Sequence, residues 1–321
     1  MKITNLKTAI IYESKLTRRN WLFYFFIFGV LGILSVLVPW TRDWIFWENV
    51  AFASSIPIRG IYFLNLFQSL IVIFIICDLE RKRRKAETRD VLSARPIGNR
   101  QSLLGEFLGI LVPFLAVDII FILVCVVIGI IIPDSPVNLW VNLFYLLTLV
   151  LPTLVFIIGL SLLVNKLFKQ PFISWVTLTA FLYFACNYWV TPLYGILDFR
   201  GSLLPSSFST LIGFVNLEDY LLQRTVFLFL GISFLCFSVL FVKRKSNTSD
   251  RKHYLIVPAS LFLALSLVLG GVYVGKFQTR QENRMAYRET FLKYNEYPTS
   301  RVLTHDVTYR PGGEKFRQPA G

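Results

Sequence analysis

Charge is scarce in this chain. Asp, Glu, Lys and Arg make up 16% of its 321 residues, against about 25% in soluble domains. Histidine is scarcer still, with His253 and His305 the only two. The four cysteines (Cys77, Cys125, Cys186 and Cys236) lie in or beside apolar runs and have no C-x-x-C spacing. That excludes a disulfide framework or a cysteine metal site and leaves buried free thiols. Sequence signatures of chemistry are missing too. There is no H-E-x-x-H, no G-x-S-x-G and no P-loop. The reading is therefore of a non-enzyme with no metal, no cofactor and no ATP site of its own.

What is abundant is apolar. The chain is 55% hydrophobic and 16% aromatic, with a mean hydropathy of +0.59. A membrane span needs about 20 mostly apolar residues, and seven segments qualify. They run over residues 21–38, 60–77, 107–132, 139–164, 172–190, 225–242 and 254–274. Every backbone group inside a bilayer must be bonded internally, so each is expected to be a helix. The fold class expected is an all-α polytopic membrane protein: a six-helix domain, a seventh span and a short soluble tail. Pro113, Pro152 and Pro258 are expected to kink helices or lie near their ends.

The formal charge of +14 does not indicate nucleic acid, because the cations gather beside the apolar runs rather than over one soluble face. Their distribution sets an orientation instead. Lys2, Lys7, Lys15, Arg18 and Arg19 precede the first run. Eight more lie between the second and third: Arg81, Lys82, Arg83, Arg84, Lys85, Arg89, Arg95 and Arg100. Lys166 and Lys169 follow the fourth, and Lys243, Arg244, Lys245, Arg251 and Lys252 follow the sixth. The alternate loops hold Arg42, Arg59, Arg200 and Arg224. Twenty against four puts the N-terminus in the cytoplasm and the C-terminus outside. Under that topology His253 and His305 lie on opposite sides and share no metal. The expected location is the cytoplasmic (inner) membrane of a bacterium, with anionic lipid facing the basic side.

No cleavable signal peptide is expected, since the first apolar run begins only at Trp21 and no small-residue cleavage site follows. Residues 1–19 read as an amphipathic interfacial helix, with Ile3, Leu6 and Ile10 on one face, or equally as a charged leader. Residues 40–58 read as an outer loop with Trp40, Trp44 and Trp47 at headgroup depth. Residues 191–224 are too apolar for a free loop and too broken by Pro and Gly for a span. Two short helices dipping into the outer leaflet are expected there.

The segment from Asp78 to Gly109 carries more than charge. Glu80-Arg81 opens it; Glu87-Thr88, Arg95-Pro96, Asn99-Arg100 and Gly105-Glu106 follow in order. That order resembles the cytoplasmic loop of type-two ABC exporter permeases. It departs from them at Ala86, where Gly is usual, and at Glu106, where Lys is usual. The resemblance covers residues 1–245 and implies a six-span permease domain (20–245) with a coupling loop at 78–106 and a re-entrant hairpin at 191–224. It further implies a separate ABC ATPase subunit that binds the ATP and a second permease half, as a homo- or heterodimer. Glu80, Arg81, Glu87, Thr88, Arg95, Pro96 and Arg100 would contact the ATPase or shape the loop, and a short helix within 80–104 would receive the push. None would be catalytic.

One carboxylate, Asp118, lies deep in an apolar run. An ionisable group there is functional by default, or it pairs with Asn65 or Gln68 of the second run for packing. Both readings stand. Asn187 is a candidate for a pathway, or for packing near the outer interface.

After the seventh span (254–275), residues 276–321 form a tail expected outside the cytoplasm. It reads as a charged helix and then a stretch alternating around Val302, Val307 and Tyr309 before a Pro311-Gly312-Gly313 turn. One strand buries no core, so the sequence reads as a piece that stops at the start of a β-rich domain. The tail resembles Bacteroidetes-type permeases that continue into an extracytoplasmic, sometimes peptidase-like, domain. Two other function classes follow: a membrane anchor for an enzyme beyond residue 321, and a structural subunit of a secretion or motility complex.

Overall fold

The structure is a computed structural model. It describes residues 3–43, 55–84, 99–131, 137–168, 170–189, 192–204, 207–209, 212–241 and 253–295. Helices dominate: α1 (Ile3–Arg18), α2 (Trp21–Asp43), α3 (Ser55–Arg83), α4 (Asn99–Ile131), α5 (Leu139–Tyr145), α6 (Leu151–Leu167), α7 (Pro171–Asn187), α8 (Leu217–Leu240) and α9 (His253–Tyr294). Among the described residues five stretches are long and apolar enough to cross a membrane: α3, α4, α5 with α6, α8 and α9. A sixth is reached if α1 and α2, bent by 67° at their junction, count as one broken span. α7 is apolar but shorter, at 17 residues. The chain is a predominantly helical, multi-pass membrane protein.

The helices overrun the apolar runs. α4 has 33 residues, about 50 Å at 1.5 Å per residue, against roughly 30 Å of hydrocarbon. Much of the expected 78–106 loop is accordingly helix, with residues 78–83 ending α3 and 99–106 opening α4. Arg, Lys and Glu are good helix formers and keep each helix winding beyond the apolar core. The same holds for residues 40–43 and 55–58 of the expected 40–58 loop. Trp44 and Trp47, like Val302, Val307 and Tyr309, lie outside the described residues.

α5 and α6 form one continuous rod through a π-helical turn, Leu146–Val150. Pro152 sits in the first turn of α6, where its missing N–H costs least. Pro113 and Pro258 lie inside α4 and α9. Lipid tails are as apolar as Leu, so these helices gain little from hydrophobicity alone. Close packing and hydrogen bonds hold them together. At the α6–α8 crossing Gly159 and Gly231 face each other. A Cβ on Gly231 would lie 2.7 Å from the Phe156 backbone nitrogen, so the two backbones touch. Phe156 beside them packs against Phe227, edge-on at 5.1 Å, and against Phe199 and Phe234. Large exposed apolar side chains, among them Phe28, Ile131, Trp140 and Phe172, form the surface that lipid would cover.

The molecule divides into two units, Met1–Phe277 and Gln278–Gly321. In the first, α9 lies along α8 through side-chain bonds to backbone carbonyls. Ser233 Oγ donates to Ala259 O at 2.9 Å, Ser266 Oγ to Val226 O at 3.1 Å, and Tyr273 OH to Tyr194 O at 2.7 Å. The described part of the second unit is helix with exposed, charged sides.

The 192–216 stretch is not a pair of short helices. Its described residues form a 3-10 turn, Pro192–Gly195, and a two-residue antiparallel pair, β1 (Phe208–Ser209) with β2 (Gly213–Phe214). Leu193, Tyr194 and Asn216 take positive φ, as do Gly195, Gly201 and Gly213. A helix cannot propagate through residues in the left-handed region. Arg224 of α8, expected among the outer loop cations, is buried beneath this stretch. Its guanidinium donates to Phe199 O and Asp198 O, both at 2.8 Å, and to Gln223 Oε1 at 2.9 Å. The Asp198 carboxylate folds the turn by accepting from the Arg200 and Leu203 backbone N–H groups and from Ser202 Oγ.

The α6–α8 contact gives a test. Gly231→Leu should force the helices apart and destabilise the protein by at least the roughly 1–3 kcal/mol of an overpacked core. Gly32→Leu, at an exposed position where an added Cβ meets nothing within 4 Å, should cause no such loss. Thermal unfolding of both variants in one detergent measures the contrast.

Candidate functional site

The distinctive site is a knot of charge at the end of the bundle where α3 finishes, α4 begins and α6 finishes. Charged residues follow the hydrophobic stretches of α3 and α6 and precede that of α4, and Glu80, Arg83, Glu106 and Lys166 among them turn inward. Arg83 of α3 pairs with Glu13 of α1, with Glu106 of α4 at 3.1 Å and with Glu80 at 3.6 Å. Lys166 of α6 pairs with Glu80 at 2.9 Å and with Glu106 at 3.4 Å. Arg84 reaches Glu80 at 3.6 Å and donates to the Asn165 carbonyl. Asn165 in turn donates to Ser161 O at 2.9 Å and Cys77 Sγ at 3.3 Å. The side chains of Glu13, Glu80, Arg83, Glu106 and Lys166 are each no more than 13% exposed. Burial pushes the Glu13 carboxyl above the ordinary carboxylate range, and the Arg83 guanidinium pulls against it.

Glycine brings α1 into this knot. Gly105 and Gly109 lie on one face of α4 as a G-x-x-x-G pair, the spacing that lets membrane helices approach backbone to backbone. A Cβ on Gly105 would fall 2.7 Å from the Ala9 Cβ, and one on Gly109 would collide with Glu13. Thr17 and Asn20 then turn the chain into α2. Thr17 Oγ1 donates to Glu13 O at 3.0 Å. Asn20 Oδ1 accepts from Leu22 N at 3.2 Å, while its Nδ2 donates to Asp78 Oδ2 at 3.0 Å.

The expected site residues divide. Glu80 is in the knot. Arg81 is exposed and pairs with Asp78 at 2.8 Å. Arg100 is exposed at the start of α4. Glu87, Thr88, Arg95 and Pro96 lie outside the described residues. Farther into the bundle, Gln68 Nε2 donates to Asp118 Oδ2 at 2.8 Å. Asn65 points elsewhere, donating to Leu149 O of the π-helical turn at 3.4 Å. Asn187 bonds within α7, to Tyr183 O at 2.9 Å, and is brought to none of the others.

Sequence reading missed Glu13, Arg83, Glu106 and Lys166 as a set. One signal was present: Glu106 is acidic at a place the loop pattern fills with Lys, at an end otherwise crowded with cations. Among the described residues no group of His, Cys, Asp and Glu suits a metal ion. No protein-family model matches the chain, and no curated protein matches it.

The arrangement ties helices together: three carboxylates hold two cations and join α1, α3, α4 and α6. Removing one member of a buried ion pair typically costs about 3–5 kcal/mol, because the partner stays buried and unpaired. Arg83→Met and Lys166→Met should each destabilise by that order. The double variant Glu106→Gln/Lys166→Met should lose less than the sum of its single variants. Unfolding curves in detergent decide this.

Proposed function

We propose that the chain is the membrane-spanning subunit of an ATP-driven exporter of the second type. A separate ATPase would supply the hydrolysis, and a second permease half would complete the pathway. The supporting observation is the charge knot. The connector 85–98 leaves α3 right after Arg83-Arg84 and re-enters α4 seven residues before Glu106. Both its roots are tied into one buried ion network that also holds α1 and α6. A force applied to that connector reaches four helices at once. That is the mechanical requirement for coupling a soluble motor to a rocking bundle.

The topology that goes with this reading has seven spans, counting α2 and α7. The N-terminus and the connector are cytoplasmic, and the 192–216 stretch lies on the outer side. α1 lies in the cytoplasmic interface with its apolar side on α4. α9, held to α8 by hydroxyl-to-carbonyl bonds and the Lys276–Glu218 ion pair, is an addition to a six-span domain. Under this reading the residues after Phe277 are extracytoplasmic.

Two measurements test the proposal. Cysteines at positions 85 and 135 should respond oppositely to a membrane-impermeant thiol reagent in intact cells, with 135 labelled and 85 protected. Replacing Glu87 and Arg95 together with Ala should reduce co-purification with the cognate ATPase, or uncouple hydrolysis from transport. Reversed labelling, or unchanged coupling in the double variant, would overturn the assignment.

A further inference from the structure

The Asp118–Gln68 contact has a mismatch that one proton removes. Asp118 is fully buried in α4, twelve residues from Glu106 and so about 18 Å along the helix from the charge knot. Gln68 of α3 is equally enclosed. One hydrogen bond is made, from Gln68 Nε2 to Asp118 Oδ2 at 2.8 Å. The other two oxygens of the same two groups, Asp118 Oδ1 and Gln68 Oε1, have no hydrogen-bond partner. Both are acceptors when the carboxyl is ionised, so they cannot satisfy each other.

We propose that Asp118 is a proton-binding site: it holds a proton on Oδ1 and donates it to Gln68 Oε1. The carboxylic acid and the primary amide then close a ring of two hydrogen bonds. The step is a protonation from water that forms one O–H bond, with no redox partner and no leaving group.

The charges around α4 fit this assignment. Glu13 of α1, Glu80 and Arg83 of α3 and Lys166 of α6 gather at Glu106. On α8, Asp219, Tyr220 and Arg224 belong to the opposite end, as do Tyr62 of α3 and Tyr145 of α5. α2 presents no charged side chain between Trp21 and Val36, and the nearest titratable neighbour within α4 is Cys125. No described residue forms an ion pair with Asp118. An ionised carboxylate enclosed without a cation is among the costliest groups a protein can bury. A neutral acid paired with an amide is not. Loss of the proton would set two acceptors against each other and weaken the α3–α4 contact at mid-bundle.

Infrared spectroscopy of the purified chain at neutral pH tests this without a transport assay, so its outcome is independent of the exporter reading. Wild type should show a carboxylic-acid C=O band that shifts in D2O and on isotopic labelling of aspartate carboxyls; the labelling assigns the band to aspartate, and its loss in the variant assigns it to Asp118. Asp118→Asn should lose the band yet unfold at the wild-type temperature, since an Asn–Gln pair makes both bonds of the ring. Asp118→Leu should unfold lower. Absence of an acid band in labelled wild type would overturn the proposal. So would a sodium- or potassium-dependent rise in Tm that Asp118→Asn abolishes, because a metal cation would then occupy the place given to the proton.

Discussion

Three carboxylates and two cations sharing one dry volume are what the base of this protein depends on. Glu13, Glu80 and Glu106 come from three helices, and Arg83 and Lys166 bind them crosswise. A single buried pair is a weak source of net stability, since desolvation offsets most of the Coulombic gain. A network in which every member but Glu13 has more than one partner acts differently. Sliding any one helix by a turn strands a charge, so the register of α1, α3, α4 and α6 is fixed together. The Gly105–Gly109 face allows this, because a larger residue there would hold α1 too far out for Glu13 to reach Arg83.

The opposite end of the bundle solves the same problem without a second ion pair at its centre. Arg224 spends its donors on main-chain carbonyls at Asp198 and Phe199 and on Gln223. Guanidinium suits this, with a planar fork of five N–H groups and a charge less strongly hydrated than an ammonium. Gly201 is required directly above it, because a Cβ there would lie 2.7 Å from the Arg224 carbon Cζ. One end is thus set by charge meeting charge and the other by charge meeting backbone.

These differences explain what could be read in advance. Apolar runs mark helices because hydrocarbon admits little else, and each run used for the reading corresponds to a helix or a continuous helical rod. The ends escaped, because helix continues through Arg81–Arg83 and Asn99–Glu106 once charged residues with good propensity follow. The 192–216 stretch was illegible for another reason. Its shape rests on Leu193 and Tyr194 in the left-handed region, a conformation that Asn216 commonly takes but that nothing in Leu or Tyr foretells. The charge knot was illegible by distance: Arg83 lies 70 residues from Glu13, and Lys166 lies 86 from Glu80. A loop rich in Lys and Arg advertises a side of the membrane, but not which of its cations turn inward.

The docking of α1 also carries a consequence for biogenesis. This helix leaves the ribosome before α3 and α4, which supply its cation and its groove. The ion network stays incomplete until Lys166 has been synthesised. During insertion Glu13 therefore has water or lipid headgroups as its surroundings, and the amphipathic character of α1 keeps it at the surface until its partners arrive. A segment made before its partners is thus fastened after them, and α1 acts as the closing latch of this network.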